Sequence, residues 1–387
     1  MKKILLLANI VLFGILLTSV SCSSEDDGNG NGLPSANTNA TKPTIAEEDE
    51  TKTLPSLAVS EYDEATGILT ASMLGISSTN NDGTFVELIG TGEKDQNVWI
   101  DIDGVPVGFT VINGEEAVAL SRAGVSTTKT LADLIFLVDN SGSMSQEANT
   151  VAEQLIDWSN ELSEIMDIQF GCVGYSETRV SGAIDLTDVT SLSTYLNRYT
   201  GTNRTVGYDE NISSEVESAA SSFYVGGECG AMAAYFADTY FTFRDGANRI
   251  YVNLTDEPNQ FSSSHYEWSV ESFNENAVSP YSYLWSSNKG SIHTVMSDDG
   301  YYDNRFSTYN EDPAYMSYYT GGTAMVGVDS SYTGVNLSDL SVTGAIVNSY
   351  IFKIDFSNIN TGTHTITVTI YDTITGVYSV QDFEITI

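Results

Sequence analysis

Positive charge is scarce in this chain. Lys and Arg together number 15 in 387 residues against 52 Asp and Glu, a formal net charge of -37 at pH 7. Such a surface repels nucleic acid and anionic lipid, so neither is expected as a partner. It also gathers divalent cations diffusely. Histidine is scarcer still: His265, His293 and His364 sit in separate segments and do not cluster. His265 and His364 read as surface residues and His293 as part of a strand. Without a histidine beside them, the serines lack a base. No Ser/His/Asp spacing, Gly-x-Ser-x-Gly elbow or nucleotide-binding glycine loop is present. An enzyme is therefore not expected. Long apolar runs are missing too, apart from residues 4–17, which are too few to span a bilayer.

Cysteine is the third scarcity, at Cys22, Cys172 and Cys229. Lys2 and Lys3 precede the apolar run, and the small residues 18–21 lead into Cys22, an export-signal pattern. The stretch resembles the lipobox of bacterial lipoproteins. That resemblance implies an acylated Cys22 and a chain that meets the membrane only through a lipid anchor. An ordinary secretory signal cut nearby is the alternative. Residues 23–27 (SSEDD) resemble the acidic export tag of surface lipoproteins of Bacteroidetes-type bacteria, which implies an outer-membrane, surface-exposed location. In such a compartment Cys172 and Cys229 can oxidise, and a Cys172–Cys229 disulfide stands beside two buried thiols as the expectation.

Beyond the signal at 1–22, composition and period divide the chain. Residues 23–53 are Asn, Gly, Ser, Thr and Glu, too polar to bury a core, and read as a flexible acidic linker. Residues 54–130 run at period two, with Asp103-Gly104 and Asn113-Gly114 as hairpin turns. Pro106 inside one run marks an edge strand. Residues 131–347 alternate buried strands (168–175, 249–255, 292–296, 323–328) with amphipathic helices. Val151, Leu155, Trp158, Leu162 and Ile165 form one helical stripe. Met232, Tyr235, Phe236, Tyr240 and Phe243 form another, and a last helix is expected over 337–346. This alternation predicts an α/β fold with a doubly wound, mainly parallel sheet. Residues 348–387 return to period two, with strands at 350–356, 365–370 and 383–387. Neither β-region is large enough to close a core alone. The expectation is that they pair as the two halves of one β-sandwich around the inserted α/β domain; two separate small β domains are the competing layout.

The chemistry concentrates at residues 133–144, DLIFLVDNSGSM. Residues 134–138 are unbroken apolar, as in a strand buried on both faces. The run stops at Asp139, and Ser141 and Ser143 follow at two-residue spacing. The turn leaves the strand's carboxyl end, where open α/β sheets place ligands. A carboxylate with two hydroxyls, and no His or Cys, is an oxygen set for a hard cation: Mg²⁺, or Mn²⁺ or Ca²⁺. A helix-capping serine turn is the bland alternative.

This Asp-x-Ser-x-Ser turn resembles the first metal-site loop of the von Willebrand factor A-type (integrin I-like) domain, and the resemblance covers about residues 133–346. It implies a Rossmann-like fold, a metal-ion-dependent adhesion site and two further loops. The third loop matches as a buried strand ending Thr255-Asp256. The second departs: Glu228 follows Gly226-Gly227 where a Thr is commoner, as in the integrin β variant. On this resemblance Ser141 and Ser143 bind the ion directly, Asp139 and Asp256 directly or through water, and Glu228 as a direct or switchable ligand. Without the resemblance, Glu228 reads as a carboxylate at a helix N-terminus. Glu147 lies where integrin β chains hold an adjacent second metal, but Gln146 before it argues for a solvated side chain.

The function implied is divalent-cation-dependent adhesion. The metal would bridge to a carboxylate of a protein, extracellular-matrix or surface ligand. A structural or assembly subunit of a surface fibre is the alternative. So is a glycan-binding module using the Tyr-rich segment of Tyr281, Tyr283, Trp285, Tyr301, Tyr302, Tyr309, Tyr315, Tyr318 and Tyr319, for which plain packing is an equal expectation.

Overall fold

The computed structural model describes residues 31–36, 41–46, 52–78, 83–114, 130–145, 147–176, 179–197, 219–220, 223–224, 227–262, 264–274, 284–297, 311–328, 337 and 340–387. Residues 1–30 lie outside them, so the signal and the Cys22 anchor do too, as do residues 115–129 at the end of the first β-region. Among the described residues no helix is long and apolar enough to cross a membrane.

The first flank supplies five strands: β1 (Leu57–Asp63), β2 (Ile68–Met73), β3 (Val98–Ile102), β4 (Val105–Pro106) and β5 (Phe109–Asn113). The α/β unit contributes β6 (Leu131–Asp139), β7 (Asp167–Tyr175), β8 (Val180–Thr187), β9 (Asn248–Thr255), β10 (Ser291–Ser297) and β11 (Ala324–Val328). The last flank adds β12 (Tyr350–Asp355), β13 (Thr363–Tyr371) and β14 (Tyr378–Thr386). Two four-stranded antiparallel sheets draw on both flanks, in the orders β1-β2-β12-β5 and β14-β13-β3-β4. Alternate residues of each point inward: Leu69, Ala71 and Met73 meet Val98, Ile100, Ile102, Phe352, Val368 and Phe383 in one core. Burial on one face of each sheet is what period two encodes. Pro106 stands in the edge strand β4, where its missing N–H breaks no ladder.

The central sheet has six strands in the order β11-β10-β9-β6-β7-β8, parallel except for β8. Leu134, Phe136 and Val138 face one core, with helices Glu147–Ile165, Val189–Leu196 and Ser341–Val347. Ile135 and Leu137 face the other, with helices Gly230–Tyr240 and Ala314–Tyr319. Both faces are covered, which is why β6 is apolar without alternation.

Several sequence expectations are corrected. Strand β8 was not foreseen; it is a bulged antiparallel edge strand in which Gly182 pairs with Gly174. Strand β14 begins at Tyr378 rather than 383, because its inward residues Ser379 and Gln381 are polar and hide the period; Gln381 Oε1 accepts from Leu54 N at 2.8 Å. In helix Gly230–Tyr240 the buried stripe is Met232 and Phe236. Tyr240 is exposed and Phe243 lies past the helix end. The last helix is Ser341–Val347, shorter than expected.

The α/β unit and the sandwich share contacts. Leu74, just after β2, is buried in the α/β core. Gly75 N donates to Ala345 O at 2.7 Å, and Asn248 Nδ2 to Ser72 Oγ at 2.7 Å. The Phe85 ring lies so close to Gly344 that a Cβ there would meet it at 2.3 Å. Leu74→Ala is expected to cost about 3 kcal/mol, the range of a buried Leu truncation. Denaturant unfolding followed on the α/β helices tests this: a change below about 0.5 kcal/mol would mean that Leu74 is not part of that core.

Candidate metal centre

The parallel pairing of β6 with β9 sets Val138 opposite Leu254, so the two strands end together. Asp139 and Thr255 therefore emerge side by side, followed by the serine turn on one strand and Asp256 on the other. On the far side β7 ends level with β6, Tyr175 opposite Asp139. Loops far apart in sequence are thus gathered at one rim.

Asp139 is 1% exposed. Its Oδ1 accepts from Ser141 N at 3.0 Å and its Oδ2 from Thr255 Oγ1 at 2.8 Å. Ser143 Oγ donates to Asp256 Oδ1 at 3.2 Å. Its proton being so placed, Ser141 Oγ is the donor in the 2.8 Å contact between the two hydroxyls. Ser141 is buried and Ser143 exposed, so the pair runs from the interior to the rim.

Glu228 stands just before Cys229, the N-cap of helix Gly230–Tyr240. It is 8% exposed; its carbonyl accepts from Gln260 N at 2.6 Å and its Oε2 from Gln260 Nε2 at 3.4 Å. Gly227 makes this possible, since a Cβ there would lie 2.2 Å from Gln260 Oε1. The structure thus places Asp139, Ser141, Ser143 and Asp256 in one hydrogen-bonded set. Glu228 approaches on a neighbouring loop braced by Gln260. Gly226 and the Gln146 and Glu147 side chains lie outside the described residues.

The electrostatics show how close these carboxylates are. Burial raises the Asp139 pKa well above the carboxylate range, and the charges of Glu228 and Asp256 raise it further; the Ser141 and Thr255 hydrogen bonds only partly oppose this. Burial first, then the Asp139 charge, likewise keeps the Tyr175 hydroxyl neutral. Tyr175 in turn donates to Asn253 Oδ1 at 2.9 Å.

Among the described residues no three His, Cys, Asp or Glu are gathered closely enough to hold an ion by themselves. A cation at this rim has to be shared between carboxylates and the serine hydroxyls. The donor set fits that demand. Neighbouring ligands around a Mg²⁺ at ~2.1 Å lie ~2.9 Å apart, and around a Ca²⁺ at ~2.4 Å about 3.4 Å apart. The serine oxygens, 2.8 Å apart, are close enough to bind one such ion side by side.

The sequence did not assign Thr255, Tyr175 or Gln260. Thr255 was within reach, because a hydroxyl ending a buried strand next to Asp256 can only turn toward that rim. Tyr175 and Gln260 follow from register and loop packing, which no local pattern encodes.

The two cysteines correct an expectation. Both are buried thiols outside any disulfide, Cys172 in the core facing helix Glu147–Ile165 and Cys229 in the core on the opposite side of the sheet. No Cys172–Cys229 disulfide can cross that layer. Burial pushes the Cys229 thiol up to about 12, which makes it inert; it accepts from Met232 N at 3.4 Å as a helix cap. Of the Tyr-rich segment, Trp285 is buried and Tyr315 and Tyr319 pack against the same core, so these three serve packing. Tyr281, Tyr283, Tyr301, Tyr302 and Tyr309 lie outside the described residues. His293 is also core: its Nδ1 meets Thr323 Oγ1 at 2.9 Å, and burial lowers its pKa to about 3.

No family model and no curated protein matches the chain. Solved structures with partial similarity include the human COPII-coat protein Sec24c, at 8% identity and TM-score 0.35, covering 87% of this chain and 62% of that one. The ArnB paralog VWA2 from Sulfolobus acidocaldarius matches at 10% identity and TM-score 0.29, covering 82% and 74%. The PilB minor pilin from Streptococcus sanguinis matches at 11% identity and TM-score 0.34, covering 76% and 79%. The chain thus spans 62% of the length of Sec24c. Scores this low leave the functional reading to the site itself.

A testable consequence concerns the cation-free protein. A carboxyl whose folded pKa is raised binds its proton more tightly in the folded state. Its ionisation therefore costs stability as pH rises above the unfolded value near ~4, through the folded pKa. In EDTA, Asp139→Asn is expected to melt higher than the parent at pH 7, with the gap closing toward pH 4. Equal melting temperatures at pH 7 would refute the charge crowding.

Proposed function

We propose that the chain is a surface protein that binds its partner through a divalent cation, Mg²⁺ or else Mn²⁺ or Ca²⁺, at the rim of the central sheet. The observation behind this reading is the Ser141–Ser143–Asp256 hydroxyl-carboxylate chain, set beside the buried Asp139. Ser141 and Ser143 would contact the ion. Asp139 and Asp256 would hold it directly or through water and fix the hydroxyl orientations. Glu228 would supply a third carboxylate. The ion would act as an electrostatic bridge to a carboxylate offered by a protein or matrix ligand, with no turnover. Three anionic side chains more than cancel a divalent charge, so Glu228 should weaken the pull on an outside anion and favour a cation tolerant of more ligands. The location proposed with it is the outer membrane, by a lipid on Cys22.

Calorimetric titration of Mg²⁺, Mn²⁺ and Ca²⁺ into the chain lacking residues 1–22 tests the site. It should be run at salt high enough to screen diffuse uptake. One saturable site is expected in the parent and none in Asp139→Ala. Loss in Glu228→Ala as well would make Glu228 a ligand. Parent and Asp139→Ala titrating alike would overturn the reading.

A further inference from the structure

The sandwich carries a second site, far from the serine rim along the chain. Along β3 the residues Val98, Ile100 and Ile102 enter the sandwich core, so Trp99 and Asp101 lie on the outer face of their sheet. Lys42, from the segment before the first strand, reaches that face and its Nζ pairs with Asp101 Oδ2. Between this segment and the sheet is a cavity of about 270 Å³, lined among others by Trp99, Asp101, Lys42, Gln96, Thr91 and Pro106.

The lining selects a ligand class. An indole and a proline offer flat apolar walls. The Lys42–Asp101 pair sets a donor and an acceptor side by side, the complement of two adjacent hydroxyls, one accepting and one donating. Gln96 gives its Nε2 to Val98 O at 2.8 Å, which leaves its Oε1 as the acceptor end of the amide. Thr91 adds a hydroxyl that can do either. Charges of both signs disfavour a simple ion, and the Lys42–Asp101 pair set in a half-apolar wall disfavours a lipid chain. The volume falls below the ~300–1,000 Å³ of pockets that enclose drug-sized molecules. It suits one ring. We propose that this cavity binds a neutral monosaccharide unit, stacked on Trp99, with a vicinal diol across Asp101 and Lys42. Nothing in this site involves a divalent cation.

The four tryptophans make the test direct, because Trp158, Trp268 and Trp285 are buried and Trp99 is half-exposed. Tryptophan emission of the full chain is titrated with glucose, galactose, mannose and N-acetylglucosamine to about 50 mM, the reach needed for millimolar binding. Calorimetry on the same samples gives the affinity. A saturable change with at least one sugar is expected, the same in EDTA and in Mg²⁺. Asp101→Ala keeps the reporter and should weaken binding about tenfold or more. Gln96→Ala, which leaves the Lys42–Asp101 pair intact, should weaken it too and serves if Asp101→Ala unfolds. No saturable response to any sugar, or unchanged affinity in both variants, overturns the proposal. Binding that vanishes in EDTA would also overturn it, and a silent cavity would leave the serine-rim reading standing.

Discussion

Everything at the candidate centre depends on a negative charge held where water barely reaches. Asp139 ends a strand packed on both faces, and two more carboxylates raise the cost of ionising it. A backbone N–H and a threonine hydroxyl return part of that cost. Buried charges need partners or metals to persist, so a site of this kind is either neutralised by a proton or by a cation. The sheet supplies the rigid rim that keeps these groups together. Register between β6 and β9 is fixed by two apolar cores, and a one-residue slip would turn every inward side chain outward.

The central sheet was legible because burial on two faces leaves a plain signature. Residues 134–138 and 250–254 are apolar or nearly so, and Asp139 and Asp256 follow where those apolar runs stop. The helical stripe of Val151, Leu155, Trp158 and Leu162 was legible for the same reason. Where inward positions are small or polar the pattern fades. Gly182 conceals β8, and Ser379 and Gln381 conceal the start of β14. The serine turn at the rim could be read from its residue types and from its place directly after a buried strand. Its supports could not, because Thr255, Tyr175 and Gln260 act through contacts across strands and loops. The cysteine pairing failed on the same ground: sequence gives two thiols, and only the sheet between them decides that they never meet.

The sandwich and the α/β unit are joined by more than their connections. Leu74 belongs by sequence to one and by burial to the other, and the Phe85 ring lies against Gly344 on the last helix. The helix leads within two residues into β12, the strand that pairs with both β2 and β5. A displacement of that helix would therefore be resisted by the sheet it enters, in keeping with a rim whose geometry is set when the chain folds.

That pairing also orders the chain's birth. Met73 of β2 lies opposite Tyr350 of β12, with the whole α/β unit between them in sequence. During synthesis or export the first flank emerges with unpaired strand edges and must wait for the last forty or so residues. The α/β unit, whose own sheet needs nothing beyond β11, can close earlier and bring the two flanks near each other. Non-local pairing of this sort is slow and leaves sticky intermediates. The bulge at Val59/Glu61 in β1 and the heavy acidic charge both discourage those edges from pairing with neighbouring chains while they wait.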